Sequence, residues 1–405
     1  MGIGGALIMP ATLSIISNVF PREERRKAIA IWSAMASIGV GLGPLFGGVL
    51  LEVFDWRSVF LLYVPVAATA LVLGFRLVPN SRDPQPGAFD MAGVVLSIVT
   101  LTTLVYTIIE APERGWLDPI VLGGFGAAAV FGIGFAAWER RTRDPMLHLD
   151  LFRNPRFSVA SVGLSLASFA LFGAIFALTQ FLQDAHGYSA LQAGAAMVPL
   201  ACGLMVGAGS SVKLVARLGT RSVMIMGLLA LATTLSTSLL WTFDMAYLPI
   251  GAWLFAFSMS MGWVMGPATG SVMSSVPEAK SGVGSAMNDV TRQVAGALGT
   301  AIIGSLITSL YAANLGDAAA ALPDASRSAA EDSVGQAQAV ATSLSDSAAS
   351  QLSHAASVAF TDALGIGFVV AACAAVVAVI AVRRWLPADD RVQAPDTAAA
   401  LATAA

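Results

Sequence analysis

Residues 28–51 read AIAIWSAMASIGVGLGPLFGGVLL, an unbroken apolar stretch whose second half is rich in glycine. About 20 apolar residues in a helix cross the ~30 Å hydrocarbon layer of a bilayer. Gly39, Gly43 and Gly47 recur at every fourth residue, with Pro44 and Gly48 beside them. Glycines at this spacing lie on one helical face and let a neighbouring backbone approach, and the proline kinks the helix. The stretch therefore predicts a transmembrane helix with a close-packed face.

Similar apolar stretches occur along most of the chain, and together they predict about eleven transmembrane helices. The other ten are 2–20, 58–78, 89–110, 118–138, 157–182, 190–215, 222–242, 246–270, 282–312 and 357–382. Of the 405 residues, 56% are hydrophobic and 12% are charged, whereas a soluble domain carries roughly 25% charged residues. The predicted fold class is an all-α integral membrane protein.

Positive charges alternate between the two ends of these predicted helices. Eighteen of the 22 Lys and Arg residues lie at or after the C-terminal ends of odd-numbered helices, three follow even-numbered helices, and Arg292 lies well inside a helix. Because Lys and Arg concentrate in cytoplasmic loops, we expect a cytoplasmic C-terminus and an external N-terminus. The first predicted helix is short and interrupted by Pro10. We therefore expect that Met1 lies within a larger protein.

Two connecting segments are distinctive. Residues 79–88 are polar and contain prolines, which is typical of a linker, here expected in the cytoplasm. Residues 313–356 are rich in Ala, Ser, Asp and Gln and are expected outside. Their alanine content permits helix, so we expect a mobile helical extension of the last span and no folded domain.

The residue inventory does not support an enzyme. His148, His186 and His354 lie in or near loops without metal-ligand spacing, and no phosphate-binding glycine loop is followed by Lys and Ser or Thr. We therefore expect no cofactor, no metal site and no ATP-driven transport. No basic surface with interspersed aromatic residues suggests nucleic acid as a partner.

The string from Gly39 to Gly48 resembles motif C, the antiporter signature of the major facilitator superfamily. The following residues 55–60 (DWRSVF), with Val64 and Pro65, are similar to the fourteen-span drug:H⁺ antiporter branch (the EmrB/QacA type). Further resemblances lie at residues 2–10, at residues 188–199, and at Asn288, Arg292, Gln293, Gly296 and Gly299. One departure is Ala30, where the motif usually begins with glycine.

The resemblance implies a major facilitator fold with two six-helix lobes around a midplane cavity. Aligned in this way, the eleven helices correspond to family spans four to fourteen, so the first three spans and part of the fourth are missing. Residues 1–78 would be the remainder of the N-terminal lobe, with three spans, and 79–156 two extra central spans with cytoplasmic linkers. Residues 157–386 would be a complete C-terminal lobe with external loop 313–356, and 387–405 a cytoplasmic tail.

The function implied by the resemblance is proton-coupled efflux of amphiphilic drugs or other small molecules by alternating access. The expected location is the bacterial inner membrane, with the proton gradient as driving force. The expected partners are a small-molecule substrate, protons and the lipid bilayer. Two alternatives remain: an exporter of a lipid, siderophore or self-made antibiotic, and a truncated, transport-dead membrane protein. The sequence leaves the oligomeric state open.

Two groups of residues are candidates for the transport site. Asp289 and Arg292 are charges within a predicted helix, three positions apart and on one face. Three roles are open for these two charges: they form a purely structural pair, they take part in proton coupling or substrate contact, or the Arg292 side chain extends to the membrane edge. The second group could line a cavity, although ordinary helix packing explains each member equally well. It comprises Phe176, Gln180, Gln183, Met261, Trp263 and Met265.

Overall fold

A computed structural model of the chain describes residues 19–78, 90–143, 145–147, 149–276, 281–320 and 322–387, and isolated positions between 4 and 16. Throughout these residues the regular elements are helical. They are α1 (Arg22–Val53), α2 (Arg57–Leu61), α3 (Tyr63–Leu77), α4 (Met91–Arg114), α5 (Pro119–Glu139), α6 (Pro155–Gln180), α7 (Ala190–Ala196), α8 (Val198–Leu218), α9 (Thr220–Ser236), α10 (Tyr247–Ser274), α11 (Ser281–Ala319), α12 (Asp324–Asp332), α13 (Val334–Ala341) and α14 (Asp346–Trp385).

Nine stretches of the described chain are long and apolar enough to cross a bilayer, which confirms the predicted fold class. They are Arg57–Leu77, Met91–Pro112, Pro119–Glu139, Pro155–Ala185, Ala190–Leu218, Thr220–Leu240, Tyr247–Ser274, Gly282–Gly316 and Asp346–Trp385. The predicted span 28–51 lies within α1, whose apolar described part is Leu42–Val53. The predicted span 2–20 lies largely outside the described residues.

Helices α4 and α5 form an antiparallel hairpin. Each begins at an aspartate whose carboxylate accepts a hydrogen bond from a backbone N–H of the first turn: Asp90 from Gly93, and Asp118 from Ile120. Such caps satisfy donors that the helix itself leaves unpaired. Between the two helices, a Cβ at Gly124 would lie 2.9 Å from Cγ2 of Thr107. The two helices are therefore in close contact at this point.

The second half of the chain contains the main core, formed by α6, α8 to α11 and α14. Glycines allow these helices to pack backbone against backbone. A Cβ at Gly299 of α11 would lie 2.8 Å from Cα of Phe169 on α6, and one at Gly262 of α10 would lie 2.7 Å from Cα of Gly207 on α8. Membrane helices associate through such small residues because lipid provides no hydrophobic driving force between them.

Residues 313–356 differ from their prediction. Helix was expected and is present: α11 continues to Ala319, α12 and α13 follow, and α14 already begins at Asp346 instead of 357. The segment does not extend freely from the last span, because Ala330, Val334 and Ala337 are at most 1% exposed and belong to the main core. The Tyr311 hydroxyl donates a 2.9 Å hydrogen bond to the carbonyl of Ala330. We call α12 and α13 the helical cap.

Two of the predicted spans are not regular α-helices over their whole length. The span predicted at 157–182 ends in a π turn over Phe181–Ala185. The span predicted at 190–215 is divided at Met197 into α7 and α8, because Pro199 near the start of α8 has no N–H for a continuous helix. Both irregularities lie at the end of the bundle that carries the helical cap, where the C-terminal part of α1 also packs.

Candidate functional site

The C-terminal part of α1 packs directly against α7, and two glycines make this contact possible. A Cβ at Gly48 would lie 2.5 Å from the carbonyl oxygen of Ala190 and 2.8 Å from Cα of Leu191. On the opposite side, a Cβ at Gly194 would collide with the carbonyl group of Pro44, its carbon 2.8 Å away. Each helix therefore presents a glycine to the backbone of the other. Any larger side chain at either position would separate them.

A hydrogen bond closes the same contact at its edge. The Ser189 hydroxyl donates to Oε2 of Glu52 over 3.1 Å, joining residues 137 positions apart in the sequence. Ser189 is also the N-cap of α7 and forms a capping box with Gln192, in which each side chain bonds the other residue's backbone N–H. Since the capping box fixes the Ser189 side chain, the hydroxyl is held where Glu52 reaches it.

The remaining glycines predicted to form the close-packed face take no part in this contact. No described atom lies within 4 Å of a Cβ placed at Gly39, Gly43 or Gly47. The four-residue spacing predicted a groove on their common face, but the face that meets α7 carries Pro44 and Gly48 instead. Gly48 is buried, whereas Gly43 is exposed.

Helix α11 carries a buried polar cluster. Arg292 Nη1 lies 3.9 Å from Oδ1 of Asp289, and their side chains are 20% and 6% exposed. The adjacent Asn288 is 1% exposed, and neither of its amide atoms has a hydrogen-bond partner among the described residues. Asp289 Oδ2 and Arg292 Nε are likewise buried without one. Such unsatisfied groups are costly in a membrane, which makes this cluster a candidate functional site.

Packing fixes the position of α11 on two sides. Towards α6, a Cβ at Gly296 would lie 2.7 Å from the Phe172 ring, beside the Gly299 contact described above. Towards the α4–α5 hairpin, the Ser305 hydroxyl donates a 2.9 Å hydrogen bond to the carbonyl of Ile108 on α4. The helix that carries the polar cluster thus connects the hairpin with the main core.

The six residues predicted to line a cavity do not share one surface. Met261 is fully buried in the core, so in this conformation it packs between helices and lines no cavity. The Trp263 indole N–H donates a 2.9 Å hydrogen bond to the Ser210 hydroxyl, which connects α10 with α8. Met265 packs against the core as a partly buried side chain.

The other three members of that group lie on α6 and its π turn. Phe176 is 42% exposed and rests on Gly304 of α11, whose Cβ would lie 2.9 Å from the ring. Gln180 and Gln183 are partly buried. Only Phe176 combines exposure with a position beside α11.

A polar cavity of about 680 Å³ lies beside the helical cap, and no pattern in the sequence indicated it. Its wall includes Pro112 of α4, two hydroxyls of α11 and two carboxylates of α12. The polar lining residues are Thr308, Ser309, Ser328, Glu331, Asp332 and Gln336. The cavity lies between Pro112 near the end of α4, residues 308–312 of α11 and the helical cap. The described residues, those of this cavity included, contain no group of three or more His, Cys, Asp or Glu side chains that could hold a metal ion.

His186 lies beside this end of the bundle, directly after the π turn. Its ring packs edge-on against Phe181 with 4.6 Å between centroids, and its Nε2 is buried without a hydrogen-bond partner among the described residues. Burial lowers the pKa of His186 below its ordinary value, and the nearby carboxylate of Asp244 offsets part of this effect. His186 is therefore held mainly in its neutral form near neutral pH.

Comparisons with known proteins agree with this architecture. Residues 1–300 match the Major Facilitator Superfamily. The chain is 36% identical over 345 residues to the multidrug efflux pump LfrA of Mycolicibacterium smegmatis, covering 85% of this chain and 68% of that protein. It is 32% identical over 309 residues to the tetracenomycin C resistance and export protein of Streptomyces glaucescens, covering 76% of this chain and 57% of that protein.

A solved structure, a bacterial homologue of the human lysosomal transporter Spinster in an inward-facing and unoccupied conformation, aligns with a TM-score of 0.49. That alignment has 18% identity and covers 93% of this chain and 74% of the other. The match to residues 1–300 and the identity to LfrA establish the family. The chain belongs to the Major Facilitator Superfamily and is a multi-pass membrane transporter, not an enzyme.

Proposed function

We propose that this transporter exports amphiphilic small molecules in exchange for protons, as a member of the fourteen-span drug:H⁺ antiporter branch. The names of two relatives support efflux as the direction of transport: one is a multidrug efflux pump and the other a resistance and export protein. The α4–α5 hairpin supports the branch, because it supplies two further spans between α3 and the main core. The driving force in this proposal is the proton gradient, without a cofactor.

The observation that carries the mechanism is the contact between α1 and α7. Major facilitators work by rocking two helix bundles about a central site, so we interpret the α1–α7 contact, which joins distant parts of the chain at one end of the molecule, as a gate. Under the orientation expected from the cation distribution, the Gly48–Ala190 contact lies at the external end. The gate is then closed to the outside, and outward opening requires α1 and α7 to separate.

The polar cluster on α11 is our candidate for proton coupling. Asp289 is 4% exposed, and one of its oxygens has no described hydrogen-bond partner. The Arg292 guanidinium at 3.9 Å is too far for a strong hydrogen bond, so the pair is incompletely neutralised. A carboxylate in this situation can take up a proton when Arg292 moves away and release it when Arg292 returns.

Expression in a bacterial host that lacks its own efflux pumps tests the proposal. Cells loaded with a lipophilic cationic dye should lose the dye faster with the chain than without it. A protonophore should abolish the difference, whereas ATP depletion with the gradient maintained should not. Dye efflux that survives the protonophore would contradict proton coupling, and no efflux of any member of a broad substrate panel would favour a transport-dead protein. A panel containing lipids, siderophores and antibiotics separates the remaining alternatives.

A further inference from the structure

A second buried acidic site lies at the opposite end of the α4–α5 hairpin from its connecting turn. Asp90 precedes α4, and its Oδ1 accepts two hydrogen bonds, from the backbone N–H of Gly93 at 2.8 Å and from the indole N–H of Trp138 at 2.9 Å. One oxygen of this carboxylate is thereby fixed. Its other oxygen, Oδ2, is buried and has no hydrogen-bond partner among the described residues.

Glu139, the last residue of α5, faces Asp90 in the same way. It is only 3% exposed, and its Oε2 accepts a 3.0 Å hydrogen bond from the backbone N–H of Leu147. Its second oxygen, Oε1, is buried without a described partner. Both free oxygens lie beside Gly93: a Cβ there would lie 2.8 Å from Glu139 Oε1 and still closer to Asp90 Oδ2. The absence of a side chain at Gly93 leaves a small space next to both oxygens.

Two carboxylates in one buried space repel each other when both are ionised, and one proton between them removes that repulsion. Among the described residues, the charged groups on the two helices here are the pair itself, and the cations Arg140, Arg141 and Arg143 follow Glu139 in the sequence. Arg140 and Arg141 are exposed, and within the described part of the chain no ion pair joins a cation to either carboxylate. A proton is therefore the smallest ligand that satisfies both free oxygens.

We propose that Asp90 and Glu139 form a proton-binding carboxylate pair that holds one proton between Asp90 Oδ2 and Glu139 Oε1. The protonated carboxyl donates a hydrogen bond to the ionised one. Because Glu139 also holds the N–H of Leu147, the proton stabilises the attachment of the segment after α5 to the hairpin. Under the orientation proposed above, this end of the hairpin faces the cytoplasm.

Infrared spectroscopy of the purified chain in lipid nanodiscs tests this proposal, through the C=O stretch of protonated carboxyl groups and its shift in D₂O. At neutral pH the difference spectrum of the wild type minus Glu139→Gln should show the band of one protonated carboxyl group. Wild type minus Asp118→Asn should show none, because Asp118 caps α5 as Asp90 caps α4 but makes its cap at an exposed site. Absence of the band from the first spectrum would overturn the proposal.

Asp90→Asn distinguishes a shared proton from a lone protonated glutamate. The amide introduced by this substitution can donate to Glu139 Oε1, so the Glu139 carboxyl should ionise and the band should disappear. A band that persists in this variant would show that burial alone protonates Glu139, and sharing would be refuted. In the wild type the same band should titrate away as the pH rises, which keeps the test available if a variant does not fold. None of these infrared measurements depends on transport. The proposed transport function can therefore be refuted while the proposed carboxylate pair is confirmed.

Discussion

Replacing Gly48 by alanine should open the contact between α1 and α7. The new Cβ would lie 2.5 Å from the Ala190 carbonyl oxygen and 2.8 Å from Leu191 Cα, and neither backbone atom can rotate away. Non-bonded contacts to carbon settle near about 3.5–4.0 Å, so the helices have to separate by about 1 Å. Overpacking of this kind costs about 1–3 kcal/mol. The cost falls only on the conformation in which the helices touch, so its population should fall by a factor of about 5 to 150 relative to the open one.

Disulfide cross-linking measures this population. Cysteines at positions 52 and 189 replace two side chains that already meet at 3.1 Å, and the exposed native Cys202 and Cys373 are changed to serine. The cross-linking rate under a mild oxidant should fall in Gly48→Ala and in the reciprocal Gly194→Ala. The matched control is Gly47→Ala, one position away, where no described atom lies within 4 Å of the added Cβ. Equal rates in Gly48→Ala and Gly47→Ala would refute the reasoning.

Three further predictions concern other parts of the molecule. Arg292→Ala should destabilise the protein by about 3–5 kcal/mol, because it leaves a buried charge unpaired. Asp289→Asn in the same chain should restore part of that loss; thermal unfolding in detergent measures both, and no recovery in the double variant would exclude pairing. His186 has a folded-state pKa below its ordinary value of 6.5, so the unfolded state binds more protons and acidification through that range should lower stability. The melting temperature should therefore decrease as the pH is lowered from about 7.5 to about 5.5, and the decrease should be smaller in His186→Gln. An identical pH dependence of the melting temperature in the variant would exclude His186 as the cause. Finally, a cysteine at Ser333 should react with a membrane-impermeant thiol reagent in intact cells and one at Ser81 should not; the reverse pattern would invert the proposed orientation.

Most of the fold could be predicted from hydropathy, because a bilayer requires long apolar helices and the chain contains them in separate blocks. Asp90 and Asp118 mark helix starts by their type alone, and the structure uses both as caps. The burial of the helical cap escaped prediction for a physical reason. Both of its helices are rich in alanine and contain few large apolar residues, yet Ala330 and Ala337 are fully buried, since small side chains pack closely without a strong apolar signal.

The site was less predictable than the fold. Glycine spacing identified α1 as a close-packing helix, but spacing alone does not say which face meets a partner, and the contact uses Gly48 instead of Gly43 or Gly47. Met261 is the type of flexible, apolar side chain expected to line a drug cavity, but it is fully buried between helices. The Asp90–Glu139 pair brings together residues 49 positions apart, and only the antiparallel hairpin places them side by side.

The exchange of outward-moving substrate for protons can be measured directly in liposomes. Purified protein is reconstituted with a pH-sensitive dye inside the vesicles and a fluorescent cationic substrate, so that both flows are recorded in the same vesicles. An imposed pH gradient should drive substrate uphill while protons move the opposite way, and Asp289→Asn should abolish both flows together. Substrate movement that leaves the internal pH unchanged, or that proceeds at the same rate without a gradient, would contradict the account.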